Sequence, residues 1–233
     1  MSSNSSEEGR VPELIDLSLS IENGIITYPS SSHQRFESSI VGRIAVEGRE
    51  TRKFTIGSHC ATHIDSMKHF IPNGLAVDEI PLSRLIGPAF LIHLGELAPR
   101  TVIQEKDIAP FLPKKLIERL VLRSDWSRFW NTSQFYQHWP VLSSSCAQFL
   151  VDRGVRLLGI DFPSPDPPRF GEDCSQDCPN HKLFFSHEII LVEYLTNLGM
   201  LQAGAIFLMV MPLKLVGFDG SPARVAAYSL EAS

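Results

Sequence analysis

The segment from Gly57 to Phe70 concentrates residues that can bind metal ions. It reads Gly-Ser-His-Cys-Ala-Thr-His-Ile-Asp-Ser-Met-Lys-His-Phe and holds three of the chain's eight histidines. Imidazole nitrogens and carboxylate oxygens suit zinc and manganese, and three protein ligands with one open position are typical of a catalytic site. The spacing therefore predicts that His59, His63 and Asp65 contribute to a catalytic metal centre.

A single regular helix cannot bring these three side chains together. At about 100° per residue, His63 would lie about 40° from His59, but Asp65 would point about 200° further round. The backbone must therefore change conformation inside the segment, as at a strand-to-helix junction, and we expect a loop at a sheet edge. The alternative from the residues alone is a polar surface loop that happens to be rich in histidine.

The motif His59-Cys60-Ala61-Thr62-His63-Ile64-Asp65, with His69 four residues on, resembles the signature of the cyclase-like metal-dependent hydrolase family. This family includes bacterial kynurenine formamidases and isatin hydrolases. Its signature is His-x-Gly-Thr-His-x-Asp followed by a further histidine. Ala61 stands where the family has glycine, and we expect from this that the backbone at residue 61 does not require a positive φ.

The resemblance extends along the chain in the family's order from about residue 13 to residue 227. Four other segments match. They are Ile15 to Ser18 together with Tyr28-Pro29; Gly159 to Asp166; His181 to Leu198, which includes an apolar run that ends in Glu193; and Gly217 to Arg224.

The resemblance implies a set of site residues. The ligands of one or two divalent ions per subunit, Zn²⁺ or Mn²⁺, would be His59, His63, Asp65, His181 and Glu193, with Asp65 shared between two ions. His69 would be the catalytic acid and base, since an imidazole can exchange protons near neutral pH. Tyr28 would line the substrate pocket.

The residues alone leave alternatives for each of these roles. Glu193 could mark the solvent face of a half-buried strand, His69 could be an ordinary loop histidine or a further ligand, and Tyr28 could be a core aromatic. Cys174, Cys178 and His181 could instead form a structural zinc site, although a fourth good ligand is missing nearby. The polar, proline-rich segment 163–179 could act as a lid over the site.

The resemblance implies hydrolysis of an aryl formamide, with N-formylkynurenine as the reference substrate. A bound divalent ion would activate water and polarise the scissile carbonyl, and the chain has no Gly-x-Ser-x-Gly serine elbow. Alternatives are a hydrolase that opens lactam or lactone rings on the same site, or a member that binds metal or ligand without turnover. The aromatic residues between Trp126 and Trp139 could face a ring-bearing substrate, or lie in the core or at a subunit interface.

The pattern of apolar runs predicts one mixed α/β domain in which strands outnumber helices. The strand candidates are Leu14 to Leu19, Phe54 to Ile56, Ala89 to Leu94, Leu120 to Leu122, Val155 to Ile160 and Ile189 to Val192. The helix candidates are Pro81 to Leu85, Glu105 to Leu112 and Cys146 to Asp152. The resemblance implies a swivelling β/β/α cyclase-like fold for residues 11–233 and assembly as a dimer or tetramer. Residues 1–10 read as a disordered tail, because they offer almost nothing to bury.

Composition and charge limit the kinds of partner that we expect this protein to bind. The chain has 233 residues, 43% of them hydrophobic, and a formal charge of −5, which gives no field that would attract nucleic acid or an anionic membrane. The longest apolar run, 203–213, is about half of what a membrane span needs and contains Pro212. With no visible export signal and only four cysteines, we expect a cytoplasmic protein. The resemblance implies a small-molecule substrate.

Overall fold

The fold is built on one large sheet that closes on itself. The computed structural model describes residues 12–30, 32–167 and 177–230. Its strands are β1 (Ile15–Asp16), β2 (Glu37–Gly42), β3 (Thr51–Thr55), β4 (His63–Asp65), β5 (Ile86–His93), β6 (Val102–Ile103), β7 (Arg119–Arg123), β8 (Val141–Leu142), β9 (Leu157–Ile160), β10 (Ile190–Glu193), β11 (Gly204–Pro212) and β12 (Gly220–Ser229).

The large sheet has the strand order β1-β12-β11-β5-β7-β9-β10-β4, and β4 also pairs with β12. This last pairing closes seven strands into a barrel-like sheet, with β1 added outside β12. Strands β5, β7, β9 and β10 run parallel to one another, and the remaining pairs are antiparallel. The mixed sheet of the cyclase-like fold that the sequence predicts is therefore confirmed.

The helices are short and lie outside the closed sheet's ladder. They are α1 (Ile44–Glu47), α2 (Leu82–Leu85), α3 (Glu105–Ile108), α4 (Ser144–Asp152) and α5 (Pro179–Ser186). Strands β2 and β3 form a separate hairpin, and β6 pairs with β8 in a third, small sheet. Within the described residues, no helix combines the length and the apolarity that a membrane span needs.

The core surrounds the parallel strands. In β7 the consecutive residues Leu120, Val121 and Leu122 are all fully buried, as expected for a strand that is covered on both faces. Most of the aromatic residues between Trp126 and Trp139 also belong to the core. Trp126 donates from Nε1 to Phe135 O, and Trp139 donates from Nε1 to Asp166 O, both at 2.9 Å. The core alternative is correct for these side chains.

The sequence prediction about the local structure of the histidine-rich motif is wrong. His63–Asp65 forms strand β4 between β10 and β12, so this part of the motif is not a loop at a sheet edge. Helix α5 was not predicted from the sequence. The predicted tail, residues 1–10, and part of the predicted lid, 168–176, lie outside the described residues.

Ala61 adopts a left-handed backbone conformation, with φ of 53°. The expectation that residue 61 needs no positive φ is therefore wrong. The chain turns sharply here before it enters β4, and the alanine side chain is packed among buried residues, with 2% of its surface exposed. Thr62 holds this turn, because its hydroxyl donates to Tyr194 O at 2.6 Å and accepts from Leu19 N at 2.9 Å.

Substitutions at Ala61 test whether this turn is strained. Ala61→Gly should change the free energy of unfolding by less than about 1 kcal/mol, because relief of a left-handed cost of roughly 1–2 kcal/mol is offset by loss of a buried methyl worth about 0.8 kcal/mol. Ala61→Val should destabilise by more than about 2 kcal/mol, because a β-branched side chain is poorly tolerated at positive φ. Urea denaturation measures both, and equal stability of the two variants would contradict the assignment.

Candidate metal centre

The register of strand β4 brings the acidic and imidazole side chains together. Glu193 lies directly opposite His63 in the β4–β10 ladder, and Asp65 lies two residues further along β4, on the same face. Ile64 points to the other face and is fully buried in the core. The alternation of side chains in a strand therefore explains why His63, Asp65 and Glu193 share one site.

His63 and His181 are each fixed through one ring nitrogen. His63 Nδ1 donates to Ala61 O at 2.8 Å, and His181 Nδ1 donates to Asp166 Oδ2 at 2.7 Å. Because Nδ1 is occupied in both rings, Nε2 is the atom that remains to bind a metal ion. Helix α5 is itself held by Asp166, which accepts from the backbone N–H groups of Asn180 and His181.

The free nitrogens of these two rings converge on Asp65 and Glu193. His63 Nε2 lies 3.1 Å from Asp65 Oδ1 and 3.6 Å from Glu193 Oε2. His181 Nε2 lies 3.6 Å from Asp65 Oδ2 and 3.4 Å from Glu193 Oε1. Residues that are far apart in the sequence therefore form one compact group of two imidazoles and two carboxylates.

The carboxylates of this group are almost completely buried, with side-chain exposures of 2% for Asp65 and 5% for Glu193. Burial opposes ionisation of Asp65, but His59 and His63 outweigh it and hold the pKa of Asp65 well below its usual range. Burial and the charge of Asp65 raise the pKa of Glu193. Both carboxylates can therefore be ionised at the same time only with positive charge beside them.

These residues fit a divalent cation. Within the described residues, Glu193 Oε1 is buried and has no hydrogen-bond donor with suitable geometry. One ligand atom from each of His63, Asp65 and Glu193 lies within 4.8 Å of the others, and the same holds for His59, Asp65 and His69. Asp65 belongs to both groups. A buried carboxylate oxygen without a hydrogen-bond donor is stabilised by a nearby cation. Carboxylate oxygens together with imidazole nitrogens are ligands that zinc and manganese prefer.

His59 lies between Asp65 and Asp219. The role of Asp219 was not predicted from the sequence. Its Nδ1 is 2.6 Å from Asp65 Oδ1 and its Nε2 is 2.8 Å from Asp219 Oδ2. Burial lowers the pKa of His59, but the two carboxylates outweigh burial and raise it to about 10. Asp65 and Asp219 therefore favour positive charge at the position of His59 as well.

His69 lies at the rim of the same cluster, on the short 3-10 turn Met67–His69 that follows β4. Its ring centroid is 4.1 Å from that of His59, and its Nδ1 is 3.1 Å from Asp219 Oδ2. Burial lowers the pKa of His69, so its imidazole is neutral near pH 7. A neutral imidazole beside the cluster is able to accept a proton.

Tyr28 is separated from the cluster by one ring. Its centroid is 5.0 Å from that of His33, and the His33 centroid is 6.0 Å from that of His59. Tyr28 also packs edge-on against the buried rings of Tyr136 and Trp139. The half-buried Tyr28 and His33 therefore form the aromatic border of the cluster, and His33 was not predicted from the sequence.

Cys178 lies close to His181, as the alternative structural zinc site requires. Asp166, Cys178 and His181 have ligand atoms within 4.8 Å of one another, but Cys174 lies outside the described residues. The Asp166 oxygens already accept from Asn180 N, His181 N and His181 Nδ1. Those contacts fit Asp166 as the residue that orients His181 better than Asp166 as a metal ligand.

The sequence contains weak signals for the two aspartates that were not selected. Asp166 and Asp219 both lie in segments that resemble the family, but neither sits near a histidine in the sequence. Asp219 meets His59 and His69 because β12 pairs with β4, and Asp166 meets His181 because the segment after β9 contacts the start of α5. Spacing along the chain could not have identified them.

The closed mixed sheet and its buried imidazole–carboxylate group define a protein with a candidate divalent metal centre. The sequence model of the Cyclase family matches residues 15–167. Kynurenine formamidases from Bacillus cytotoxicus and Bacillus cereus are both 32% identical to this chain, over 92% of it and 97% of each relative. The chain therefore belongs to the Cyclase family.

Solved structures agree with this assignment. A potential metal-dependent hydrolase with cyclase activity superposes with a TM-score of 0.75 at 26% identity, covering 95% of this chain and 100% of that one. Isatin hydrolase A from Ralstonia solanacearum superposes with a TM-score of 0.79 at 21% identity, covering 92% and 91% of the two chains. The second likeness supports the fold alone.

Replacement of Glu193 tests whether the buried carboxylates hold a metal ion. Glu193→Gln should weaken binding of Zn²⁺ or Mn²⁺ more than about 100-fold, because even outer-shell changes cost 10–100-fold. It should not lower the Tm of the metal-free protein by more than about 4 °C, because the substitution removes repulsion from Asp65. Competition with a chelator and thermal unfolding with and without metal provide both readings.

Glu188→Gln is the matched control, because Glu188 precedes β10 and its side chain is 63% exposed. It should bind metal as the wild type does and show the same rise in Tm on addition of metal. Wild-type metal affinity in Glu193→Gln would contradict a metal centre at this position.

Proposed function

We propose that this protein is a metal-dependent hydrolase that cleaves the C–N bond of an aryl formamide such as N-formylkynurenine. The observation that carries the proposal is the convergence of His63 Nε2 and His181 Nε2 on the buried Asp65–Glu193 pair. The substrate class is supported by the relatives named kynurenine formamidase, which match this chain over 97% of their own length.

The proposed ligands are the five residues suggested by the sequence: His59, His63, Asp65, His181 and Glu193. The ion is Zn²⁺ or Mn²⁺, one or two per subunit, since both metals accept this mixture of nitrogen and oxygen ligands. The membership of Asp65 in two groups of ligand atoms supports a shared role. When bound, a divalent ion lowers the pKa of water and polarises a carbonyl oxygen.

His69 is the proposed acid and base. Its neutral imidazole accepts a proton from the attacking water and then returns a proton to the departing aryl amine. Its side chain is 26% exposed, so a substrate can reach it, whereas Asp65 behind it is shielded from solvent. Tyr28 and His33 stand at the open side of the cluster, where they can contact the aromatic ring of a substrate.

Lactams and lactones are the natural competing substrates, because their carbonyl carbons undergo the same attack. They therefore belong in the same assay. That assay also tests the alternative of a protein that binds metal without turnover. The homo-oligomeric assembly and a place in tryptophan catabolism, which the resemblance implies, stay predictions. The cytoplasmic location, expected because no export signal is visible, also stays a prediction.

Metal removal and reloading test the proposed activity. Wild-type protein should hydrolyse N-formylkynurenine, lose the activity after dialysis against a chelator, and recover it with Mn²⁺ or Zn²⁺. His69→Ala should keep the wild-type metal content and lose about 10²–10⁴-fold in kcat, because it lacks only proton transfer. Release of the free arylamine and of formate measures the rate, and elemental analysis measures the metal.

His187→Ala is the control, because His187 is an exposed histidine beyond the end of α5. It should retain wild-type activity. Hydrolysis of isatin or lactones without hydrolysis of N-formylkynurenine would replace the proposed substrate class. Stoichiometric metal with no hydrolysis of any of these carbonyl compounds would contradict the enzyme and favour a binding protein.

A further inference from the structure

One carboxylate oxygen connects the proposed metal ligand His59 with the proposed acid and base His69. Asp219 Oδ2 lies 2.8 Å from His59 Nε2 and 3.1 Å from His69 Nδ1. We propose that Asp219 is a positioning residue that sets the orientation and tautomer of both imidazoles, an inference that rests on the proposed function.

Each contact determines which nitrogen is left for chemistry. Because Asp219 accepts from His69 Nδ1–H, Nε2 of His69 becomes the atom that exchanges protons. Because Asp219 accepts from His59 Nε2–H, Nδ1 of His59 faces Asp65, 2.6 Å away, and becomes the metal-binding atom. The side chain of Asp219 thus sets both the orientation of His69 for proton transfer and the orientation of His59 for metal binding.

The backbone around Asp219 is held independently of its carboxylate. Asp219 O accepts from both the N–H and the hydroxyl of Ser66, each at 2.9 Å. Val77 N donates to Phe218 O at 2.9 Å, and Gly217 N donates to Asp78 Oδ1 at 2.8 Å. The segment that carries Asp219 is therefore tied to the turn that carries His69, whatever side chain stands at position 219.

Gly220 shows that this segment is shaped around His59. A Cβ atom at residue 220 would lie 2.7 Å from His59 Cε1 and 2.9 Å from Ile64 O. Neither distance is compatible with a side chain, so only glycine lets β12 start this close to the imidazole. The close approach of backbone and ring is what places the carboxylate of the preceding residue against His59 Nε2.

The substitutions that test the proposal are Asp219→Asn and Asp219→Ala, both assayed with saturating Zn²⁺ and verified metal content. Asp219→Asn should lose about 10²-fold in kcat with KM changed less than about threefold, because substrate contacts remain while proton transfer is misaligned. Its affinity for Zn²⁺ should fall about 10–100-fold, as measured by chelator competition, because His59 loses its outer partner.

Two readouts separate positioning from structure. Added acetate, compared with chloride at equal ionic strength, should raise kcat of Asp219→Ala at least about tenfold, because the carboxylate site is 38% exposed and can admit a small anion. Long-range ¹H–¹⁵N spectra of the zinc-loaded wild type should show the Nδ1–H tautomer of His69, and Asp219→Ala should lose that preference.

Asp78→Asn is the matched control, because Asp78 holds the same segment through Gly217 N but touches neither imidazole in the structure. It should keep wild-type kcat and Zn²⁺ affinity. The proposal is overturned if metal-loaded Asp219→Asn stays within threefold of the wild-type kcat, if acetate fails to rescue Asp219→Ala, or if Asp78→Asn loses as much activity as Asp219→Asn.

Failure of the proposed function is recognised separately. If the wild type hydrolyses no formamide, lactam or lactone, the proposed function is wrong, and kcat cannot be compared between the variants. The Zn²⁺ affinity of Asp219→Asn and the tautomer of His69 still decide the positioning role, since neither requires turnover. Wild-type values for both in the variants would overturn it.

Discussion

The candidate site depends on two carboxylates that are buried beside each other. Asp65 and Glu193 come from neighbouring antiparallel strands, and the register that places Glu193 opposite His63 also places Asp65 on the same face. When both are ionised in this shielded environment, their repulsion must be offset by positive charge between or beside them. The surrounding imidazoles, their anchoring partners and the closure of the sheet all serve this requirement.

The closure of the sheet makes this arrangement rigid. Strand β4 has only three residues, yet it pairs with β10 on one side and β12 on the other. The chain enters β4 through Ala61 and leaves β10 through Tyr194, both at positive φ, and Thr62 links the two turns by its hydrogen bond to Tyr194 O. One buried hydroxyl thus links the two unfavourable backbone conformations beside the site, and such conformations are common where geometry must be held for function.

The sequence predicted which residues lie together better than it predicted the elements that carry them. The dense histidine–aspartate segment and the resemblance selected His59, His63, Asp65, His69, His181 and Glu193, and the structure places all of them in one region. The strand that carries His63 and Asp65 was missed, because three residues are too few to show a period of two. Asp166 and Asp219 were missed as partners because they act through contacts between elements remote in sequence, and a positive φ at Ala61 cannot be read from an alanine.

The most direct test of the central claim is anomalous diffraction at the metal absorption edge from crystals grown with Zn²⁺ or Mn²⁺. The account predicts an anomalous peak within about 2.0–2.3 Å of ligand atoms from His63, Asp65 and Glu193. A fully loaded protein whose only peak lies elsewhere, such as beside Cys178, with Glu193 making no contact to the ion, would contradict it.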